Sequence, residues 1–151
     1  MSLVRIQTEP IAFIEEWTEF LRRIEGKGGA VVSFSGIVRE FNQDSKVEEL
    51  YLEHYPEMTE QSIHQIIDKA HEKWELLDTL VIHRVGLIKS REQIVVVLVG
   101  AEHRAEAFSA CEFIIDFLKT DTILWKKEIH HDGSSWIESL DTDYQRSKHW
   151  E

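Results

Sequence analysis

The hydrophobic residues of the chain follow two spacings, one typical of helices and one typical of strands. Apolar positions at helical spacing predict amphipathic helices over 10–25 and 57–74, and a third from just after His103 to Lys119. The other apolar residues alternate with polar ones or form β-branched runs, as in strands, and the first such run is expected to be largely buried. The strand segments are 30–39, 47–55, 79–85, 92–100 and 122–131.

Polar turns separate these elements and set their order. The polar run 40–46 predicts a loop, Gly86 and 90–92 lie between two strands, and Asp132-Gly133 predicts a turn before Trp136-Ile137. A helix followed by two strands occurs three times in succession. This order indicates an α+β fold with mostly antiparallel strands and with helices on one face of the sheet.

Length and composition favour a single folded domain spanning 1–151. The chain is 42% hydrophobic, and its aliphatic residues and Phe are well above the roughly 20% typical of disordered chains. The single cysteine, Cys111, excludes an internal disulfide and fits a reducing compartment. Neither a signal peptide nor a membrane-spanning apolar run is present, so we expect a soluble, cytoplasmic protein.

Charge is distributed unevenly along the chain. The net charge of −11 argues against nucleic acid or an anionic membrane as the main partner. Residues 1–80 hold 8 basic and 16 acidic side chains, so most of the acidic excess lies there. Five basic residues nevertheless fall within 25 positions on the third helix and the strand after it, and such a cluster is compatible with a small anionic ligand. These residues are His103, Arg104, Lys119, Lys126 and Lys127.

Each of these cations has a structural and a functional explanation. His103 and Arg104 begin a helix, where they either cap a surface loop or bind a phosphate or carboxylate. Lys119 ends the helix, where the helix dipole alone favours a lysine. Lys126 and Lys127 point to opposite faces of a strand, and Lys126 lies on the more polar face. The polar face is the better candidate for a site, which favours Lys126 as the companion of Lys119. A lysine near another cation can act as acid, base or nucleophile.

Other reactive groups give weaker indications. Cys111 falls in the apolar stripe with Phe108 and Ile115, so we expect it in the core. The sequence lacks cysteine or histidine pairs at zinc-binding spacing, a glycine-rich phosphate loop and a nucleophile elbow. Arg39 ends a strand and is either a loop anchor or an anion ligand.

Five short segments carry a further signal. They are 34–39 (FSGIVR), 52–58 (LEHYPEM), 82–86 (IHRVG), 102–108 (EHRAEAF) and 125–128 (WKKE). In this order the segments resemble the catalytic (large) subunit of molybdopterin synthase. One such block would be a weak indication, but five in the right order and at the right separations are specific. The resemblance covers almost the whole chain.

The resemblance implies a sulfurtransferase of molybdenum cofactor biosynthesis. Such an enzyme installs two sulfurs on cyclic pyranopterin monophosphate and so forms the dithiolene of molybdopterin. The expected sulfur donor is a thiocarboxylate at the C-terminus of a small ubiquitin-like subunit, so no cofactor is expected. Two large subunits are expected to form a homodimer within a heterotetramer. The implied fold is α/β hammerhead-like, with three main helices and an additional small antiparallel sheet.

The resemblance also implies roles for individual residues. Lys119 is expected to be the main general acid/base, and Lys126 an electrostatic and positioning group. Three residues match those that bind the pterin and its phosphate: Arg39, His103 and Arg104. Four more are expected to line the pocket: Ile37, Val38, Lys127 and Glu128.

Two other functions are compatible with these residues. One is a non-catalytic dimeric scaffold that holds a ubiquitin-like tail or a phosphorylated ligand, and the other is a phosphate enzyme unrelated to sulfur. The presence of both lysines and the His-Arg pair favours catalysis over the scaffold. The chain departs from the family at Ile123-Leu124, where a proline usually precedes the Trp-Lys segment. This departure concerns the backbone before the strand more than the chemistry.

Overall fold

Four helices and nine strands follow one another in the computed structural model, which describes residues 2–42, 45–137 and 141–151. The helices are α1 Phe13–Arg23, α2 Met58–Lys73, α3 Arg104–Leu118 and α4 Asp141–Lys148. The strands are β1 Ser2–Gln7, β2 Ala30–Ile37, β3 Phe41–Asn42, β4 Ser45–His54, β5 Asp78–Arg84, β6 Gly86–Lys89, β7 Gln93–Ala101, β8 Leu124–His130 and β9 Gly133–Ile137. Every predicted helix and strand segment is therefore present.

The strands form two sheets. The sheet that we call the larger has four strands with 30 residues in the order β1-β5-β7-β2, and among its described strands the β1–β5 pair alone is parallel. The smaller sheet has five strands with 28 residues in the order β3-β4-β8-β9, with β6 also paired to β4, and all its pairs are antiparallel. The predicted α+β class, with mostly antiparallel strands and an additional small antiparallel sheet, is confirmed.

Helices cover both faces of the larger sheet. On one face Phe20 of α1 packs with Leu80. On the other face Ile67 of α2 and Ile114 of α3 pack with Val81. The prediction that helices lie on one face is therefore wrong. All of β5 is buried, and a strand that is apolar on both sides does not indicate which face a given helix covers.

Both ends of the described chain form elements that hydrophobic periodicity did not predict. Strand β1 pairs in parallel with β5, starting where Ser2 lies beside Thr79. The polar helix α4 is fastened to α3 because buried Asp116 accepts hydrogen bonds from Trp150 Nε1 at 2.7 Å and from Arg146 Nε at 2.8 Å. Both elements depend on partners distant in sequence, which local periodicity does not detect.

The region of the first predicted strand and loop also differs from expectation. Strand β2 is an edge strand whose side chains are mostly half-buried, so the prediction that it is largely buried is wrong. Within the predicted loop 40–46, Phe41–Asn42 pairs with β4, while positions 43 and 44 lie outside the described residues.

Helix α3 packs on the sheet through most of the predicted stripe, with Phe108 as the exception. Ala107, Cys111 and Ile114 are buried, whereas Phe108, expected in the stripe, is 62% exposed. In the described chain, no helix combines the length and the apolar character required to cross a membrane.

Candidate active site

A cavity of about 510 Å³ opens where the two sheets meet the end of α3. The larger sheet contributes Phe34 and Val95, the smaller sheet contributes Leu50, and the C-terminal part of α3 contributes Ile115 and Leu118. These apolar side chains form much of the wall. Its polar lining residues are Arg39, Asn42, His83, Lys119, Thr122, Lys126, Glu128 and Asp143.

The register of β8 determines which lysine faces the cavity. Lys126 lies opposite Leu52 of β4, a residue that is 1% exposed on the inner face of the smaller sheet. Lys127 lies on the outer face, where its Nζ is 5.3 Å from the centre of the Trp136 ring. Lys126 lines the cavity and Lys127 does not.

Two lysines from different elements meet at this cavity. Lys119 is the C-terminal cap of α3, and its backbone N–H donates to Ile115 O at 3.2 Å. Burial, and then the positive charge of Lys119, lower the pKa of Lys126 to about 8, while Asp143 acts in the opposite direction. Lys126 is therefore partly neutral at mildly alkaline pH and can accept a proton there.

The end of β2 forms a rim of the cavity. The pairing with β7 shifts register between Gly36 and Ile37, an irregularity that redirects a strand. Val38 is 3% exposed, and its backbone N–H donates to Glu92 O at 2.9 Å. This anchored backbone leaves Ile37 and Arg39 exposed where they line the cavity.

Glu128 is held in a fixed orientation in the cavity wall. Its Oε2 accepts a hydrogen bond from Asn42 Nδ2 at 2.7 Å, and its Oε1 lies 3.3 Å from His130 Nε2. These contacts tie β8 to the segment after β2, so Glu128 orients Asn42 toward the cavity.

His103 and Arg104 lie outside this cavity. His103 precedes α3 and lines a separate cavity of about 270 Å³ together with Trp74 and Glu106, while Arg104 is exposed and lines neither cavity. Lys119 lies at the other end of the helix, which has 15 residues and is therefore about 22 Å long. A single copy of the chain does not bring the His-Arg pair to the two lysines.

Four polar lining residues were not among the predicted site residues: Asn42, His83, Thr122 and Asp143. His83 is 6% exposed, and burial lowers its pKa to about 4, with the positive charges of Lys126 and Lys119 acting in the same direction. Thr122 has a buried Oγ1 without a hydrogen-bond partner among the described residues. His83 belongs to the resembling segment 82–86, which was the available signal, whereas Thr122 carried none.

The departure from the family at Ile123 is accommodated by α2. The hydroxyl of Thr59 donates to Ile123 O at 2.7 Å, and the Ile123 N–H donates to Ser62 Oγ at 3.4 Å. A proline at this position would have no N–H for the second contact. The first turn of α2 thus anchors the backbone just before β8.

Cys111 and the metal-ligating residue types do not form a second reactive centre. Cys111 is 4% exposed in the core, as predicted, and burial raises its pKa to about 12. A buried thiol of this kind is unreactive because the thiolate is the nucleophile. Over 2–42, 45–137 and 141–151, no three His, Cys, Asp or Glu side chains are grouped so that they could hold a metal ion.

Known proteins similar to this chain share one description. The family model for MoaE protein matches residues 6–121. The chain is 45% identical to a Vibrio cholerae protein named molybdopterin synthase catalytic subunit, over 98% of this chain and 97% of the other. An Escherichia coli protein of the same name is 42% identical over 94% and 93% of the two chains.

Solved structures agree with these sequence matches. The MoaE protein of Burkholderia ambifaria superposes with a TM-score of 0.85 at 38% identity, covering 99% of this chain and 98% of the other. Molybdopterin synthase of Staphylococcus aureus gives a TM-score of 0.81 at 39% identity, covering 88% and 95%. A complex of subunits 1 and 2 of molybdopterin-converting factor from Helicobacter pylori shares the fold, with a TM-score of 0.74 at 17% identity and coverage of 91% and 90%. The chain belongs to the MoaE family, the catalytic subunits of molybdopterin synthase.

Proposed function

We propose that the 510 Å³ cavity transfers sulfur to cyclic pyranopterin monophosphate, from the thiocarboxylated C-terminus of a small ubiquitin-like subunit. Two transfers would form the dithiolene of molybdopterin. The convergence of Arg39, Lys119 and Lys126 on one cavity carries this proposal. The volume lies in the range of small-molecule sites, and the three cations suit a phosphorylated substrate.

The proposed reaction begins when the thiocarboxylate sulfur attacks a side-chain carbon of the pterin. A carbon–sulfur bond forms while the carbon–oxygen bond at that carbon breaks, and the oxygen leaves with its phosphate or as water. A thioester then links the pterin to the small subunit. Water then attacks the acyl carbon, where a carbon–oxygen bond forms and the acyl carbon–sulfur bond breaks. The sulfur stays on the pterin, and the small subunit leaves with an ordinary carboxylate. A second thiocarboxylated copy repeats the cycle on the neighbouring carbon.

The two lysines divide the proton transfer and the charge stabilisation of this reaction. The resemblance implied the main acid/base role for Lys119. Because the pKa of Lys126 is lowered to about 8, neutral Lys126 is suited to take the proton from the attacking water. Lys119 faces the same cavity, where its ammonium group would stabilise the oxyanion that develops on the acyl carbon and return a proton.

A second copy of the chain would complete the binding of the substrate phosphate. Arg39 lies at the rim of the cavity, whereas His103 and Arg104 lie at the far end of α3. We assign His103 and Arg104 to the cavity of the other copy in a homodimer, where the start of α3 would supply further donors to the phosphate. Ile37 and Val38 then line the pterin pocket.

The mouth of the cavity suits an extended peptide tail. Ile37 and Trp125 line it and are 51% and 53% exposed, so two large apolar side chains are available to a partner. A tail inserted here would place its terminal carbonyl near the lysines. The partner supplies the sulfur, because the Cys111 thiol is buried in the core.

Reconstitution tests this function. The full chain is incubated with the pterin precursor and the thiocarboxylated small subunit, and dithiolene product is measured. Product is expected with the thiocarboxylate and not with a small subunit that ends in an ordinary carboxylate. Lys119→Ala should abolish turnover while the fold and the subunit complex persist. If the wild-type chain binds both ligands and forms no dithiolene, the result contradicts sulfur transfer and favours the non-catalytic scaffold.

A further inference from the structure

His83 lies in the wall of the cavity at the point where the helices no longer cover the larger sheet. Alternate residues of a strand face the same side, so His83 shares its face of β5 with Val81. Val81 packs in the core cluster that α2 and α3 cover. His83, two positions further along, instead lines the cavity and is 6% exposed.

A backbone contact fixes the protonation pattern of the His83 ring. Nδ1 lies 2.9 Å from the carbonyl oxygen of Arg84, and because a carbonyl can only accept, Nδ1 carries the hydrogen. The Arg84 side chain is itself held, since it donates to Thr8 O at 3.0 Å and to Glu92 Oε2 at 2.7 Å. In a neutral ring Nε2 then carries a lone pair, and it lies at the ring edge away from the backbone.

The surroundings of the ring keep it neutral. Burial lowers the pKa of His83 to about 4, although its hydrogen bond with Arg84 O acts in the opposite direction. The positive charges of Lys126 and Lys119 add to the effect of burial. The described charged groups that line the cavity with His83 are Arg39 after β2, Lys119 at the end of α3, Lys126 and Glu128 in β8, and Asp143 in α4.

We propose that His83 is a positioning residue that orients the Nζ of Lys126 by accepting a hydrogen bond at Nε2, directly or through one water. A neutral acceptor holds an ammonium group without cancelling its charge, so Lys126 keeps its positive charge for an anionic substrate. A carboxylate at this position would neutralise one lysine. The inference rests on the proposed function of the cavity and adds to it a residue that the cation pattern of the sequence did not indicate.

Two substitutions separate positioning from packing. His83→Leu removes the acceptor, whereas the amide oxygen of His83→Gln reaches about as far as Nε2 and retains one. We expect His83→Leu to lower kcat about tenfold or more, with a smaller change in KM for the pterin. The limb of the pH–rate profile that belongs to Lys126 should move to lower pH, because its ammonium form has lost an acceptor.

His83→Gln should restore both the rate and the limb to within a few fold of wild type. The matched control is His71→Gln, a histidine of α2 that contacts Thr79 Oγ1 at 2.9 Å outside the cavity lining. His71→Gln should not shift the limb of the pH–rate profile that belongs to Lys126. If His83→Leu retains kcat and the wild-type limb, the proposal is overturned.

A measurement on the wild-type chain keeps the inference testable if His83→Leu does not fold. Nitrogen-15 NMR of the imidazole should show a neutral ring protonated at Nδ1, with an Nε2 resonance that moves in Lys126→Met. A hydrogen on Nε2, or an Nε2 resonance that does not shift in Lys126→Met, would overturn the proposal. These spectra do not depend on turnover. They therefore test the role of His83 even if the reconstituted wild-type chain forms no dithiolene and the proposed function fails.

Discussion

Burial in the cavity wall and the positive charge of Lys119 together lower the pKa of Lys126 to about 8. The two residues belong to different elements, since Lys119 ends α3 and Lys126 lies in β8. The chain turns between them and returns Lys126 to the same cavity. Because like charges oppose each other's protonation, the positive charge of Lys119 makes Lys126 a stronger acid.

Removing the charge of Lys119 should therefore raise the pKa of Lys126. In Lys119→Met we expect a pKa above the wild-type value of about 8, though still below 10.5 because burial remains. NMR titration of the Lys126 side chain in nitrogen-15 lysine-labelled protein measures the shift. Lys127→Met, a substitution on the outer face of β8, should change the pKa of Lys126 less. An unchanged or lower pKa in Lys119→Met would show that the two charges do not interact.

The sequence was informative where local periodicity and charge decide the outcome. The period of two in β8 placed Lys126 on the same face as Glu128, the more polar one, and the structure shows the same alternation. Helical spacing likewise placed Cys111 in the core. Neither property depends on how distant elements meet, so one sequence was sufficient to predict both.

The two adjacent lysines of β8 should differ in their effect on catalysis. Lys126→Ala removes a cavity cation with a lowered pKa, and we expect a loss of kcat of about 100-fold or more. Lys127→Ala removes a cation–π contact with Trp136, and its effect on kcat should be at least about tenfold smaller. Dithiolene formation at saturating small subunit measures both variants. Equal losses would mean that the outer face of β8 takes part in the reaction.

Tertiary assembly explains what the sequence did not predict. His103, Arg104 and Lys119 are close in sequence, but the length of α3 keeps the His-Arg pair and the lysine apart within one copy. The local pattern does not mark His83 as a site residue, because it lies in a strand of buried residues, where a histidine usually has a structural role. Its relation to Lys126 arises only when β5 and β8 border the same cavity.

Cys111 should be dispensable for sulfur transfer. In Cys111→Ser the hydroxyl would lie in an apolar cluster, so we expect the free energy of unfolding to fall by about 1–2 kcal/mol while dithiolene formation stays near wild type. Urea unfolding and the reconstituted assay measure the two effects. Cys111→Ala, which adds no polar group, should also retain transfer. A folded Cys111→Ser chain without sulfur transfer would assign the sulfur-carrying step to this thiol.

The buried imidazole of His83 should make stability depend on pH in the acid range. Its pKa is about 4 in the folded chain and about 6.5 in the unfolded chain. Above pH 6.5 the imidazole is therefore neutral in both states, and His83 causes no loss of stability. As pH falls from 6.5 toward 4, the unfolded chain binds a proton that the folded chain excludes. The free energy of unfolding should therefore fall, by up to about 3 kcal/mol from this one residue.

His83→Gln removes this titration and should flatten the decline. Urea unfolding at pH 7 and pH 4.5 measures the difference in the wild-type chain and in the variant. His71, whose pKa is lowered mainly by burial, contributes a loss of the same sign in both proteins, so it cancels in the comparison. Because the remaining acidic groups are also common to both, the smaller decline in His83→Gln isolates His83. An equal decline in the two proteins would mean that His83 is already charged in the folded chain at pH 4.5.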